Sequence, residues 1–188
     1  MRKKPGGLTF YEKKQFITRE LVFEILSWVF YTFVAIAVAW LLVVAFGHSV
    51  RMAGSSMRPQ IEHGDKLLID RVTYRISSVK RGDIIAFYPN GNRSLRLMVR
   101  RVIGIPGDTV RIEEGIVYIN DKPESDPDHR YALIADPGIA ANGITLADKE
   151  YFVLGDMRNG SEDSRSADIG MIGLDSIVGK VWHTIRRG

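Results

Sequence analysis

The chain contains no cysteine, which excludes a disulfide framework, a thiolate nucleophile and a cysteine-rich zinc site. Its four histidines, His48, His63, His129 and His183, show no metal-ligand spacing such as HxxxH and read as surface or packing residues. No metal and no cofactor is therefore expected. Charge of one sign is also scarce: 26 Lys and Arg against 22 Asp and Glu leave a net charge of +4. That surplus is too mild and too dispersed for a nucleic-acid partner. No repeat of some 20 to 50 residues appears, so a solenoid or propeller is unsupported. A length of 188 residues leaves room for one membrane segment and one modest globular domain.

Long apolar runs are absent with one exception. Residues 25–46 read ILSWVFYTFVAIAVAWLLVVAF, uncharged and interrupted only by the hydroxyls of Ser27 and Thr32. A spanning helix needs about 20 such residues and a cleavable leader has an apolar stretch of only about 7 to 15, so an uncleaved anchor is expected. Trp28, Tyr31 and Trp40 are candidates for the interfaces. Before the run stand Arg2, Lys3, Lys4, Lys13, Lys14 and Arg19 against Glu12 and Glu20. The positive excess predicts a cytoplasmic N-terminus. The expected organisation is a cytoplasmic basic segment over residues 1–22, a transmembrane helix over 23–47 and an extracytoplasmic domain over 48–188, in a single-pass protein of the cell membrane in contact with lipid.

Beyond the span, β-branched runs alternate with Gly, Pro, Asn and Asp punctuation: KLLIDRVTY, DIIAFY, LRLMVRRVIGI, DTVRI, GIVYIN, KEYFVLG and IVGKVWHTI. Short runs bounded by turn signals predict a mainly β domain of antiparallel strands, with a hairpin near EEGIVYINDKP. Residues 121–149, rich in Pro, Asp, Gly and Ala, read as a long surface excursion within that domain.

Directly after the span comes MAGSSMRPQIEHGD. Its Ser56, Met57, Arg58 and Pro59 resemble the serine box of type I signal peptidases. Three further stretches resemble that family in the same order: VKRGDIIAF (79–87), RRVIGIPGDTV (100–110 region) and GDMRNGSEDSR (155–165). The resemblance covers nearly the whole chain from the apolar run onward. It implies a membrane-anchored serine endopeptidase, barrel-like in its β domain, that removes signal peptides from exported preproteins at the outer membrane surface. In that family a serine is the nucleophile and a buried, neutral lysine is the general base. Burial disfavours the ammonium form, which lets the amine accept the serine proton.

Carried over position by position, the resemblance makes Ser56 the nucleophile, with its own N–H in the oxyanion hole. Gly54 stands where some members have a second, hydroxyl oxyanion donor. Ser161 matches the serine that orients the base, and Asp163 and Arg165 match the pair that braces the site. Met57 is a candidate for the substrate surface. Asp83 and the turn of Pro106, Gly107 and Asp108 match scaffold positions.

The family lysine falls on Arg100. A guanidinium is effectively never deprotonated, and holding it neutral at pH 7 would cost roughly 8 kcal/mol, from about 6 pKa units. Arg100 therefore cannot replace the lysine as base, although it can bind an oxyanion or a carboxylate. Gln60, where Thr is usual, and Met157, where Asn is usual, are lesser departures. His63, Lys66 and Lys80 are the other nitrogens to weigh as bases. Two functions follow: a signal peptidase, or a catalytically impaired paralogue that binds exported or surface proteins as a chaperone or assembly factor.

Overall fold

The computed structural model describes residues 18–46, 48–125 and 131–186. Of the N-terminal basic residues, Arg2, Lys3, Lys4, Lys13 and Lys14 lie outside these, as does His129. The described chain divides into two units at Leu41 and Leu42, an N-terminal helix and a β domain.

The helix, α1, runs from Arg19 to Phe46. The Thr18 hydroxyl accepts the Leu21 N–H at its start, the usual work of an N-cap. Its side chains from residue 19 to 43 are all exposed, and the segment Arg19–Val43 is long and apolar enough to cross a membrane. A helix that is apolar on every face calls for a hydrocarbon solvent or a core around it. The two hydroxyls inside it donate back along the helix, Ser27 to the Phe23 carbonyl and Thr32 to the Trp28 carbonyl, both at 2.8 Å. Both hydroxyls are thus satisfied within the segment, as hydrocarbon requires.

The β domain contains β1 (His48–Arg51), β2 (Lys66–Asp70), a single helical turn α2 (Thr73–Ile76), β3 (Ile84–Phe87), β4 (Met98–Gly104), β5 (Thr109–Glu113), β6 (Ile116–Ile119), β7 (Lys122–Pro123), β8 (Ile144–Thr145), β9 (Glu150–Leu154), β10 (Ile172–Gly173) and β11 (Ile177–Ile185). One sheet of seven strands has the order β1-β2-β11-β3-β4-β9-β10, and a second of four has the order β7-β6-β5-β8. Every pairing is antiparallel. The mainly β expectation agrees with this architecture. The hairpin joins β5 to β6 through Glu114 and Gly115, at φ 51° and 80°; positive φ at both positions suits the right-handed strand twist.

Two expectations change. The run KLLIDRVTY is a strand only to Asp70, because the Asp70 carboxylate accepts the Val72 and Thr73 N–H groups at 2.8 and 3.0 Å and turns the chain into α2. The stretch 121–149 does not simply cover the surface. Ile134, Ala140 and Leu146 from it are buried with Ile103, Val110, Ile112 and Phe152 in one apolar cluster.

Strand β3 is buried on both faces, Ile84 and Ala86 packing with Met52, Met57 and Leu67, while Ile85 and Phe87 pack with Val102 and Val153. Period-two alternation sends one strand's side chains into two separate clusters. The connection from β4 to β5 is pinned by Asp108, whose carboxylate accepts two guanidinium N–H groups from Arg81, the Ile105 N–H at 2.9 Å and the Asn120 amide at 2.9 Å. Burial alone would push this carboxyl up; those donors outweigh it and hold it below its ordinary value.

Phe152 is fully buried, so Phe152→Ala is expected to cost about 3–5 kcal/mol and to lower the Tm of the full chain in detergent by about 10 °C. Ile76→Ala, at a residue 83% exposed, is expected to stay within about 0.5 kcal/mol. A carboxyl held low in the folded state adds stability above its unfolded pKa of about 3.9 and loses it as pH falls through the folded value. The Tm difference between wild type and Asp108→Asn is therefore expected to be steady above about pH 4 and to shrink below it.

Candidate active site

The loop after β1 carries Ser56 and is held at both ends. Its backbone closes through Met52 N–H to the Asp65 carbonyl and Gly64 N–H to the Met52 carbonyl, both at 2.8 Å. Met57 and Ile61 anchor it in the core, joined by a 2.9 Å bond from the Ile61 N–H to the Met57 carbonyl. Met57 is fully buried and is not part of the cleft lining, so it serves packing and leaves the substrate surface to others. Gly54, at φ +101°, sits in a conformation that L side chains rarely adopt. Its N–H donates to His63 Nδ1 at 3.0 Å.

Ser56 itself is 8% exposed, and Arg100, from β4, is 5% exposed. Arg100 Nη1 donates to Ser56 Oγ at 2.8 Å and to the Val99 carbonyl at 2.7 Å, while Nε donates to the Glu162 carbonyl at 2.7 Å. Burial pushes the guanidinium down from its ordinary value, against the Asp163 and Glu162 carboxylates that pull it up. A guanidinium starts so high, above about 12, that it stays charged across the neutral range. Among the described residues Arg100 is the hydrogen-bond partner of Ser56 Oγ; His63, Lys66 and Lys80 are not.

The segment 155–165 packs behind the serine. The Met157 N–H donates to the Ser56 carbonyl at 3.0 Å. Because the backbone makes this tie, it does not depend on the Met157 side chain, which is 39% exposed. A Cβ on Gly155 would lie 2.4 Å from Ser161 Oγ and 2.7 Å from the Ser56 carbonyl oxygen, so only glycine allows the two loops to meet this closely. Ser161 donates to Asp163 Oδ2 at 2.6 Å; no bond joins it to Arg100. Asp163 is buried and takes Arg165 Nε at 2.8 Å, Arg165 Nη2 at 3.0 Å and the Gly155 N–H at 3.2 Å. The acidic and basic pair is thus an internal brace that holds the segment's shape.

Sequence reasoning passed over a second brace. Arg101 donates Nε to Asp156 Oδ1 at 2.8 Å and Nη2 to Asp156 Oδ2 at 2.7 Å, with a further bond from Nη2 to Gln60 Oε1. Gln60, an apparent departure, thereby ties the serine loop to β4 and to the segment after β9. The doubled Arg-Arg beside Gly104 and the aspartate of GDMR were the signals available for it. Also unforeseen were Arg51, Arg96 and Glu162, which line a cleft of about 350 Å³ with Ser56 and Arg100. Among the described residues no group of three or more His, Cys, Asp or Glu is placed to hold a metal.

Known proteins share this chain's pattern. The family described as signal peptidase, peptidase S26, matches residues 25–185. Signal peptidase IB of Staphylococcus aureus strain COL is 31% identical over 176 residues, covering 84% of this chain and 87% of that protein. The probable signal peptidase I-2 of Synechocystis is 33% identical over 132 residues, covering 68% and 58%. A solved signal peptidase I from Enterococcus faecalis V583 is 29% identical, covering 56% of this chain and 97% of that one, with a TM-score of 0.42. With the family match running from within the apolar helix to the last strand, the chain belongs to the signal peptidase family, peptidase S26.

Proposed function

We propose that this protein is a membrane-anchored serine endopeptidase that removes signal peptides from exported preproteins, and that Arg100 holds its turnover low. Ser56 acts as the nucleophile in this reading, attacking the scissile carbonyl, with its own N–H turned to the developing oxyanion. An extended peptide lies in the cleft between the end of β1 and the start of β4, where backbone pairing supplies affinity and shallow apolar pockets select alanine-like residues. Residues 1–22 face the cytoplasm, 23–47 span the membrane and 48–188 work on the outer side, beside the lipid surface from which the cleavage site emerges.

The observation that carries the low turnover is the 2.8 Å bond from Arg100 Nη1 to Ser56 Oγ. A guanidinium has donors only, so it occupies a lone pair of the nucleophile and offers no site for its proton. The proton must go to water. General-base catalysis contributes typically 10²–10⁴-fold, which is the factor this arrangement forgoes. The same bond favours a second reading, in which the cleft binds exported proteins as a chaperone or assembly factor and does not cut them.

Cleavage of a signal-peptide substrate by the purified full chain separates the readings. Slow cleavage that Ser56→Ala abolishes, with a gain of about 10²-fold or more in Arg100→Lys, is the expected result. An inert wild type with active Arg100→Lys assigns the chain to binding without cutting. An Arg100→Lys variant no faster than wild type contradicts the role given to Arg100. In the lysine variant the rate is further expected to rise with pH as the amine deprotonates, while the wild-type rate lacks that step.

A further inference from the structure

We infer that the cleft beside Ser56 is a receptor for a free peptide C-terminal carboxylate, so that the terminus created by cutting a signal peptide is retained between Arg100 and the serine hydroxyl. This rests on the reading of Ser56 and Arg100 as the working site.

The hydrogen-bond directions lead to it. Arg100 uses Nε on the Glu162 carbonyl and Nη1 on Ser56 Oγ and the Val99 carbonyl. Its Nη2 has no partner among the described residues. The one solvent-sealed side-chain nitrogen or oxygen left without a partner there is Arg158 Nε, so Nη2 is not sealed, and Arg100 lines the cleft from which an acceptor would reach it. Ser56 Oγ already accepts from Nη1 and therefore cannot direct its own proton at Arg100. That hydroxyl proton is free to donate into the cleft. Two donors of different residues, one of them charged, thus belong to groups that the 2.8 Å bond from Nη1 to Ser56 Oγ holds side by side, an arrangement that suits the two oxygens of a carboxylate.

The surroundings favour an anion as well. Arg51 and Arg96 line the same cleft against a single acid, Glu162, and among the described residues neither arginine is paired with a carboxylate. An internal peptide bond brings a neutral carbonyl to Nη2; a terminus brings a full charge. Charge-assisted hydrogen bonds are about twice as strong as neutral ones, and near-burial of Arg100 limits screening. The volume of about 350 Å³ holds a few small residues, which is the size of the end of a cut peptide.

The test is binding to the full chain in detergent micelles, by fluorescence anisotropy, of a soluble labelled peptide ending in Ala-Gln-Ala with either a free carboxylate or a carboxamide. The acid is expected to bind at least about tenfold more tightly, or ~1.4 kcal/mol. Arg100→Gln is expected to reduce the ratio to near one by weakening the acid alone. Arg96→Gln, at an exposed residue whose loss leaves the fold intact, is expected to lower it several-fold. Equal binding of acid and carboxamide in the wild type overturns the inference, as does absence of binding by both. A carboxamide peptide with an internal aspartate that binds as well as the free acid also overturns it. These peptides need no cutting, so a failure here is separate from a failure in the cleavage assay.

Discussion

Arg100 Nη1 donates to Ser56 Oγ, and because a guanidinium has no acceptor, this one bond decides that the Ser56 proton cannot be passed to Arg100. In a serine and lysine pair the hydroxyl is the donor and a neutral amine receives. Here the polarity is reversed. The hydroxyl keeps its proton and points it away, and the buried cation keeps all of its own. Burial, which would turn a lysine into a base, lowers the guanidinium too, yet from a starting point so high that no useful neutral fraction results. An arginine at this position is thus a proton donor where a neutral lysine would be an acceptor.

Three sets of ties surround that pair. Gly155 lets the segment after β9 approach the serine carbonyl, Asp163 with Arg165 sets that segment's shape, and Arg101 with Asp156 and Gln60 joins the serine loop to the strand that carries Arg100. Adjacent arginines therefore have opposite assignments: Arg101 is paired with a carboxylate, and Arg100 is left to the Ser56 hydroxyl and to main-chain carbonyls. Charged residues this deeply buried are tolerated because each hydrogen-bonds to a charge or a carbonyl dipole.

The sequence made legible what depends on local pattern. A helix apolar on all faces, the short β-branched and aromatic runs of β3, β5, β6 and β9 between turn residues, and the short motifs around Ser56 and Asp163 could be read from spacing and residue type. Strand β1 could not, since HSVR is largely exposed and is a strand only because β2 pairs with it. The end of β2 was hidden by Val72, Thr73 and Tyr74, good strand formers turned aside by the Asp70 side chain. Ser161, expected to orient the base, hydrogen-bonds to Asp163. The gathering of Arg51 and Arg96 around one cleft follows from sheet order and has no signature in the chain itself.

The central claim, that Arg100 is a charged donor to Ser56 and no base, is open to ¹⁵N NMR of the arginine side chains in the full chain. The Arg100 resonances are expected to remain those of a charged guanidinium from about pH 6 to about pH 11. Its Nη signals are expected to move in Ser56→Ala and to stay in place in Ser55→Ala. A titration of Arg100 within that range, or Nη signals indifferent to loss of the Ser56 hydroxyl, would contradict the claim.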